Sequence, residues 1–317
     1  MRTEIRFTYA SADGKTRIHA VKWLPEDGKY HAIVQIVHGM IEHCFRYKDF
    51  ARFLNSKGIM VVAHDHLGHG DSVRSEKYYG YFCENNPSRV LVEDIHRLRR
   101  ITKKANPGVP YFMLGHSMGS YLLRRYLSTY PEGLSGAIIM GTGYVPKAKC
   151  RMGLQLMKRI ALRKGWFYNG NVLPMLVFSG SYWKFDLSGK DLERSWLTKD
   201  KEMLLKHADD PKCNFNFTVN GYYALISTVY YDEQMKNIEK IPKDLPLLIV
   251  SGEDDPVGDL SKGVRIVYEL YNRAGIEDIN YYLYENDRHE ILNETDRDVV
   301  YDDIYRWVEK KQGNEVD

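Results

Sequence analysis

The stretch "MLGHSMGSYL", Met113–Leu122, sets one serine between two glycines, Gly115 and Gly119, directly after an apolar run. One reading is a glycine-lined turn whose serine caps a helix, since serine is common at helix starts. The other is a nucleophile at the tip of a strained strand-to-helix bend. The pattern alone does not separate them: with Gly and Ser each near 7% of residues, Gly-x-Ser-x-Gly arises by chance in roughly one chain in ten of this length. The second reading makes demands elsewhere in the chain. It needs a buried strand before the serine, a helix after it, a later acid followed by a histidine, and an earlier loop with free backbone amides.

The flanks meet the first two demands: "PYFML" reads as a strand and "MGSYLLRRYLSTY" as a helix. Close approach of strand and helix leaves no room for side chains at Gly115 and Gly119. Further out, "HAIVQIVHG", "IMVVAHD", "LSGAIIMG", "LPLLIVSG" and "INYYLYE" are short apolar runs of strand type. "YKDFARFLNSKG", "RVLVEDIHRLRRITKKA" and "DVVYDDIYRWVEKK" have helical spacing, and "IRFTYASADGKTRIHAVKW" reads as a hairpin turning at Asp13-Gly14. Strands alternating with helices predict an α/β chain with a mostly parallel sheet covered on both faces. Residues 144–221 break the rhythm. They show no clear strand, and from Tyr144 to Phe185 they carry eight Lys or Arg and no acid. They are read as a helical insertion over the end of the sheet, with residues 1–143 and 222–317 as the core.

The composition, 44% hydrophobic and 27% charged, is that of a globular protein, and the net charge of +3 argues against nucleic acid as a partner. Cys44, Cys83, Cys150 and Cys213 are scattered without a CxxC spacing and read as reduced thiols. The N-terminus has no apolar signal-like run, and the nearest thing to a membrane span, "MLVFSGSYW", is short and interrupted. The expectation is a cytoplasmic protein.

A serine nucleophile needs a base, and the base needs an acid to orient it. In the strand-elbow arrangement the order is Ser, acid, His. Of eleven histidines only His289, in the polar loop "YENDRHEILNE", follows the start of the last core strands. The acid lies in "SGEDDPVGD", which offers Glu253, Asp254, Asp255 and Asp259; Asp255 is favoured and Asp254 is the alternative. "IVQIVHGMIEH" supplies the donor loop, so that the amides of Met40 and Met118 would form an oxyanion hole.

These residues carry a resemblance. "VHGMIEHCFRY", "AHDHLGHGDS", "LGHSMGS", "SGEDDPV" and "RHEILNE", spread from about His38 to Asn293, resemble the α/β-hydrolases of the monoglyceride lipase and lysophospholipase group, often classed with serine aminopeptidase-like sequences. The resemblance implies Ser117 as nucleophile, His289 as base and Asp255 as its partner, with Met40 and Met118 at the oxyanion hole. It also implies that residues 144–221 form a lid over an acyl channel. Gly39, Glu42, Arg46, His116, Tyr144 and Val257 are expected to contact substrate, although Glu42 and Arg46 could equally brace the loop. His64, His66 and His69 beside Asp65 and Asp71 suggest a metal, but the family pattern makes them a structural loop, so no metal and no cofactor are expected. Two departures stand out. The loop after Asp255 reads "PVGD" and lacks the cysteine of some animal relatives, and Met40 and Ile41 are bulkier than the small residues common at those places.

The expected reaction is hydrolysis of a single-chain acyl ester, of monoacylglycerol or lysophospholipid type. "LPMLVF", Trp166, Phe167, Tyr182 and Trp183 could line an acyl tunnel, and the basic run could rest on an anionic membrane or hold a phosphate. Short-chain esterase and aminopeptidase activities on the same fold are the alternatives, and a non-catalytic binding protein is the alternative of another class.

Overall fold

The apolar run at residues 32–37 is buried at every position, which requires cover on both of its faces. The computed structural model describes residues 3–171, 173–174, 181–186 and 191–312. Most of the "LPMLVF" and "MLVFSGSYW" stretches therefore falls outside the described residues.

Eight strands form one sheet: β1 Glu4–Ala10, β2 Arg17–Trp23, β3 Ala32–Val37, β4 Ile59–His64, β5 Tyr111–His116, β6 Gly136–Met140, β7 Leu247–Gly252 and β8 Ile279–Tyr284, in the order β1-β2-β4-β3-β5-β6-β7-β8. The β1–β2 and β2–β4 pairs are antiparallel and the others parallel. The entry hairpin turns where expected. Asp13 Oδ1 accepts the amides of Lys15 and Thr16, both at 2.8 Å, and Gly14 sits at φ 72°.

The helices are α1 Lys48–Ser56, α2 Pro87–Ala105, α3 Met118–Leu127, α4 Lys147–Lys164, α5 Lys201–Asp209, α6 Val219–Asp232, α7 Met235–Ile238, α8 Lys262–Arg273 and α9 Arg297–Lys311. Strand periodicity sorts their contacts. Ile33, Val37, Tyr111 and Met113 face one core with α2, α3 and α8, whereas Val34, Ile36, Phe112 and Leu114 face the other with α1 and α9. A fully buried side chain such as Phe50 or Leu54 on α1 contributes about 1.5–3 kcal/mol. Sequence periodicity had not singled out α8, yet the parallel pairing of β7 with β8 requires such a crossover.

From β3 the chain runs to β4 on one side, then returns past β3 to β5 on the other. Ligands of open α/β sheets bind at such a reversal, beyond the carboxyl ends of the strands. The loops after β3 and β5 carry Gly39-Met40 and Ser117.

Between β6 and β7 lie α4, several short turns, α5, α6 and α7, with no strand among the described residues. The boundary expected at residue 221 falls inside α6, a helix that touches both α3 of the core and α4 of the insertion. Among the described residues no helix is long and apolar enough to cross a membrane.

Candidate active site

Ser117 sits between β5 and α3 at φ 52° and ψ −121°, a conformation that costs a non-glycine residue of order 1–3 kcal/mol and is held only by its surroundings. Those surroundings are backbone contacts. A Cβ on Gly115 would lie 2.5 Å from the Gly119 carbonyl oxygen. A Cβ on Gly119 would lie 2.0 Å from the Val37 oxygen and 2.5 Å from that of His38. Both glycines are there because strand and helix touch. The Ser117 amide bonds to the Met140 carbonyl at 3.0 Å, and its carbonyl accepts the Ser120 hydroxyl at 2.6 Å.

His289 and Asp255 meet in the loops after β8 and β7. His289 Nδ1 lies 3.0 Å from Asp255 Oδ2, with both residues buried. Asp255 also accepts the Ser251 hydroxyl at 3.1 Å and the Val257 amide at 2.8 Å. Glu253, Asp254 and Asp259 are exposed, so burial and the histidine contact single out Asp255. Nδ1 donates to the carboxylate, which leaves Nε2 as the acceptor. Nε2 is buried and has no hydrogen-bond partner among the described residues, an arrangement that calls for a functional explanation. The ring packs against His116 at a centroid distance of 4.7 Å and against Trp196 at 5.0 Å.

The donor loop lies against the serine: a Cβ on Gly39 would be 3.0 Å from the Ser117 Cβ. Its backbone is held by two imidazoles, His38 at the end of β3 and His69 in the loop after β4. His38 Nε2 accepts the His66 amide at 2.8 Å, so Nδ1 carries the proton and donates to the Gly39 carbonyl at 2.8 Å. That carbonyl belongs to the same trans peptide as the Met40 amide, whose direction is thereby set. His69 Nε2 accepts the Ile41 amide at 3.2 Å and holds Ile41 at φ 57°. The Gly39 amide goes to Glu42 Oε1. Among the described residues, neither the Met40 nor the Met118 amide has an acceptor.

His38, His64, His66 and His69 are all buried and contact one another; His64 Nε2 lies 3.1 Å from His66 Nδ1. Burial depresses all four imidazoles, His66 to about 4 and His69 to about 3. They are neutral struts at ordinary pH.

Glu42 ties the region together. Its Oε1 accepts from Gly39 and from the Tyr47 hydroxyl at 2.7 Å, and its Oε2 from Arg46 at 3.0 Å. Arg46 also grips Glu290 through two nitrogens, at 2.6 and 2.7 Å. Burial alone would raise the Glu42 carboxyl, but His116 and Arg46 outweigh it and hold it at about 2. His116 moves the other way: burial opposes its charge, yet the Glu42 contact leaves its pKa raised. His116 Nε2 donates to the His289 carbonyl at 3.2 Å. Glu42 and Arg46 therefore form a brace.

One cavity of about 990 Å³ opens above these groups. Gly39, Met40, Glu42, His116, Ser117, Met118, Tyr144, Val257 and His289 line it; Arg46 and Asp255 are not among its lining residues. Its apolar wall includes Leu156, Met157, Leu225 and Ile226 from α4 and α6, and Tyr182 and Trp196 from the insertion. Among the described residues two other groups could hold a metal, His19 with Cys44 and Asp65, and His43 with Asp210 and Cys213, each within 4.8 Å. Both already carry internal hydrogen bonds, His19 to Asp65 at 3.0 Å and His43 to Asp210 at 2.7 Å.

Sequence reasoning missed His38 as a grip on the donor loop, and Trp196 against the base. The first had a signal, a histidine directly before the loop glycine. The second had none.

Residues 28–296 match the family described as "Serine aminopeptidase, S33". A monoacylglycerol lipase of Mycolicibacterium smegmatis is 26% identical over 307 residues, covering 96% of this chain and 97% of that one. The human monoglyceride lipase is 26% identical over 293 residues, covering 91% and 86%. Among solved structures, a thermostable carboxyl esterase from Bacillus coagulans in complex with glycerol is 29% identical with a TM-score of 0.86, covering 98% and 99%. A soluble variant of the monoglyceride lipase from Saccharomyces cerevisiae, at 20% identity and a TM-score of 0.76 over 98% and 96%, shares the fold.

Proposed function

Because this chain belongs to the serine aminopeptidase S33 family and has the α/β-hydrolase fold, we propose that it is a serine hydrolase of carboxylic esters bearing one acyl chain, of the monoacylglycerol type. The observation that carries this reading is an elbow serine and a buried His289, backed by Asp255, bordering one cavity with an apolar wall. Relatives named monoacylglycerol and monoglyceride lipase across nearly the whole chain support the same class of substrate.

In this reading Ser117 Oγ attacks the acyl carbonyl while His289 Nε2 takes its proton, and Asp255 holds the imidazole and steadies its cation. The oxyanion forms beside the Met40 and Met118 amides, the second at the N-terminus of α3, where the helix dipole also favours negative charge. His289 returns the proton to the departing alcohol. Water then repeats the attack on the acyl-enzyme.

Residues 144–221 act as the cap over this cavity. Its helix α4 buries Cys150, Met157 and Ala161 and exposes Met152 and Leu162 beside Arg151, Lys158, Arg159, Arg163 and Lys164. A basic helix with exposed apolar side chains suits an anionic lipid surface. Four free cysteines fit a cytoplasmic location.

The test is a chain-length series of p-nitrophenyl esters and monoacylglycerols on wild type and Ser117→Ala. Turnover that rises with acyl length and vanishes in the variant supports the reading. Cleavage of acetyl and butyryl esters alone would make it a short-chain esterase, and cleavage of aminoacyl anilides without esters an aminopeptidase. Failure of a fluorophosphonate probe to label Ser117 would leave a binding protein.

A further inference from the structure

The loop that carries His289 is laced to a segment of the insertion 93 positions earlier in the chain. The amides of His289 and Glu290 donate to the carbonyls of Trp196 at 3.3 Å and Leu197 at 2.7 Å. Arg288 reaches over the same segment, donating to Ser195 O at 2.6 Å, Glu193 O at 3.0 Å and Thr198 O at 3.4 Å. From the other side the Thr198 hydroxyl lies 2.9 Å from both Asn293 O and Glu294 Oε2, which share its one proton, and the Lys199 amide bonds to Glu294 Oε2 at 3.0 Å. Within this clasp the Trp196 indole packs on the His289 ring at 5.0 Å, 35° from parallel, and is itself met edge-on by Tyr182 at 5.4 Å.

Asp255 alone cannot fix the imidazole. One hydrogen bond at Nδ1 leaves the ring free to swing about that contact, and a base misplaced by about 1 Å can cost about 100-fold in rate. The ring contacts with His116 and Trp196 remove that freedom. His116 belongs to the rigid end of β5, whereas Trp196 belongs to the insertion.

We propose that residues 193–199 are a clasp through which the insertion positions the His289 base, with Trp196 as the positioning residue. Displacing this segment breaks the hydrogen bonds at His289 and Glu290 and withdraws the indole together, so the state of the insertion is read out directly as competence of the base. This rests on His289 being the base, as proposed above.

The test uses p-nitrophenyl acetate, whose short acyl group makes little use of the apolar wall. Trp196→Ala is expected to lower kcat about 10- to 100-fold with KM changed less than about threefold, and Trp196→Phe to restore most of the loss. Arg288→Ala, which removes the carbonyl contacts without touching either ring, is expected to give the same kcat-selective loss even if Trp196→Ala folds poorly. In both weakened variants the low-field proton resonance of the His289–Asp255 hydrogen bond should broaden. Unchanged kcat in Trp196→Ala and Arg288→Ala, while His289→Ala is inactive, overturns the clasp and leaves the base reading intact. Full activity in His289→Ala overturns the base reading itself.

Discussion

Gly119 and Val37 are in direct backbone contact, so close that a Cβ on Gly119 would stand 2.0 Å from the Val37 carbonyl oxygen. The first turn of α3 is thus pressed onto the end of β3, which brings the Met118 amide and the Gly39-Met40 loop to the same place. Neither partner can yield, because both are backbone. Gly119→Ala is expected to lower stability by more than about 3 kcal/mol, beyond the usual cost of overpacking. Thermal unfolding of the purified variant, or its failure to accumulate as soluble protein, checks this; an unchanged melting temperature would contradict the contact.

Removal of the proposed nucleophile or of its acid should cost far more in rate than in stability. Ser117→Ala and Asp255→Asn are each expected to lower kcat by about 10⁴-fold or more, with Asp254→Asn near wild type. Active-site titration alongside steady-state kinetics separates true loss of turnover from loss of folded enzyme. A large effect at Asp254 would reverse the assignment of the acid.

Glu42→Ala tests the brace. The substitution leaves Arg46 facing Glu290 alone and the Gly39 amide without its acceptor, and breaking a buried pair in this way destabilises by about 3–5 kcal/mol. Chemical denaturation should show that loss. Turnover should fall too, since the donor loop loosens.

His38→Phe keeps the volume near β3 but releases the Gly39 carbonyl. A freed Met40 peptide predicts a fall in kcat of about 10- to 100-fold, a fraction of what loss of a whole oxyanion donor costs. KM for a short ester should move little. If kcat were unchanged, the imidazole grip would have no bearing on the oxyanion hole.

The four neutral imidazoles also predict a pH dependence with a definite sign. Each is depressed by burial below the unfolded value of about 6.5. Their contribution is complete above that value and is lost as pH falls toward the folded values, about 4 for His66 and about 3 for His69. Well below pH 6.5 a histidine that is charged unfolded and neutral folded contributes a slope of about 1.4 kcal/mol per pH unit. The buried Asp94 and Asp287 carboxyls, each pushed up to about 7 by desolvation, act in the opposite direction, so the check is a difference: from pH 8 to pH 5 the unfolding free energy of His64→Gln should fall less than that of the wild type.

Much of this was legible in the chain. The strands β3 to β8 announce themselves because buried parallel strands read as near-continuous apolar runs, as in Ala32–Val37 and Leu247–Gly252, and β1 and β2 through the alternation of a hairpin. The elbow was legible because steric exclusion leaves glycine at 115 and 119. The choice among four carboxylates near residue 255 was not, since all sit within seven positions and only burial distinguishes them. Helix α8 was overlooked although Val264, Val267 and Tyr271 stand at the i, i+3, i+7 spacing of a helix. The contact of Trp196 with His289 had no local trace: 93 residues separate the partners, and seven of the eight hydrogen bonds described between their segments involve a backbone group that almost any residue type would supply.

That lacing bears on how such a protein could be altered. The long excursion between β6 and β7 invites exchange for another in order to redirect substrate choice. A graft chosen only for the shape of its tunnel would arrive without the carbonyl edge at 195–198 and without an aromatic ring to set against His289. With residues 144–221 as the proposed cap and His289 as the proposed base, a transplanted insertion would have to bring its own fitting for that histidine, and chimeras lacking it should bind their new substrate well and turn it over slowly.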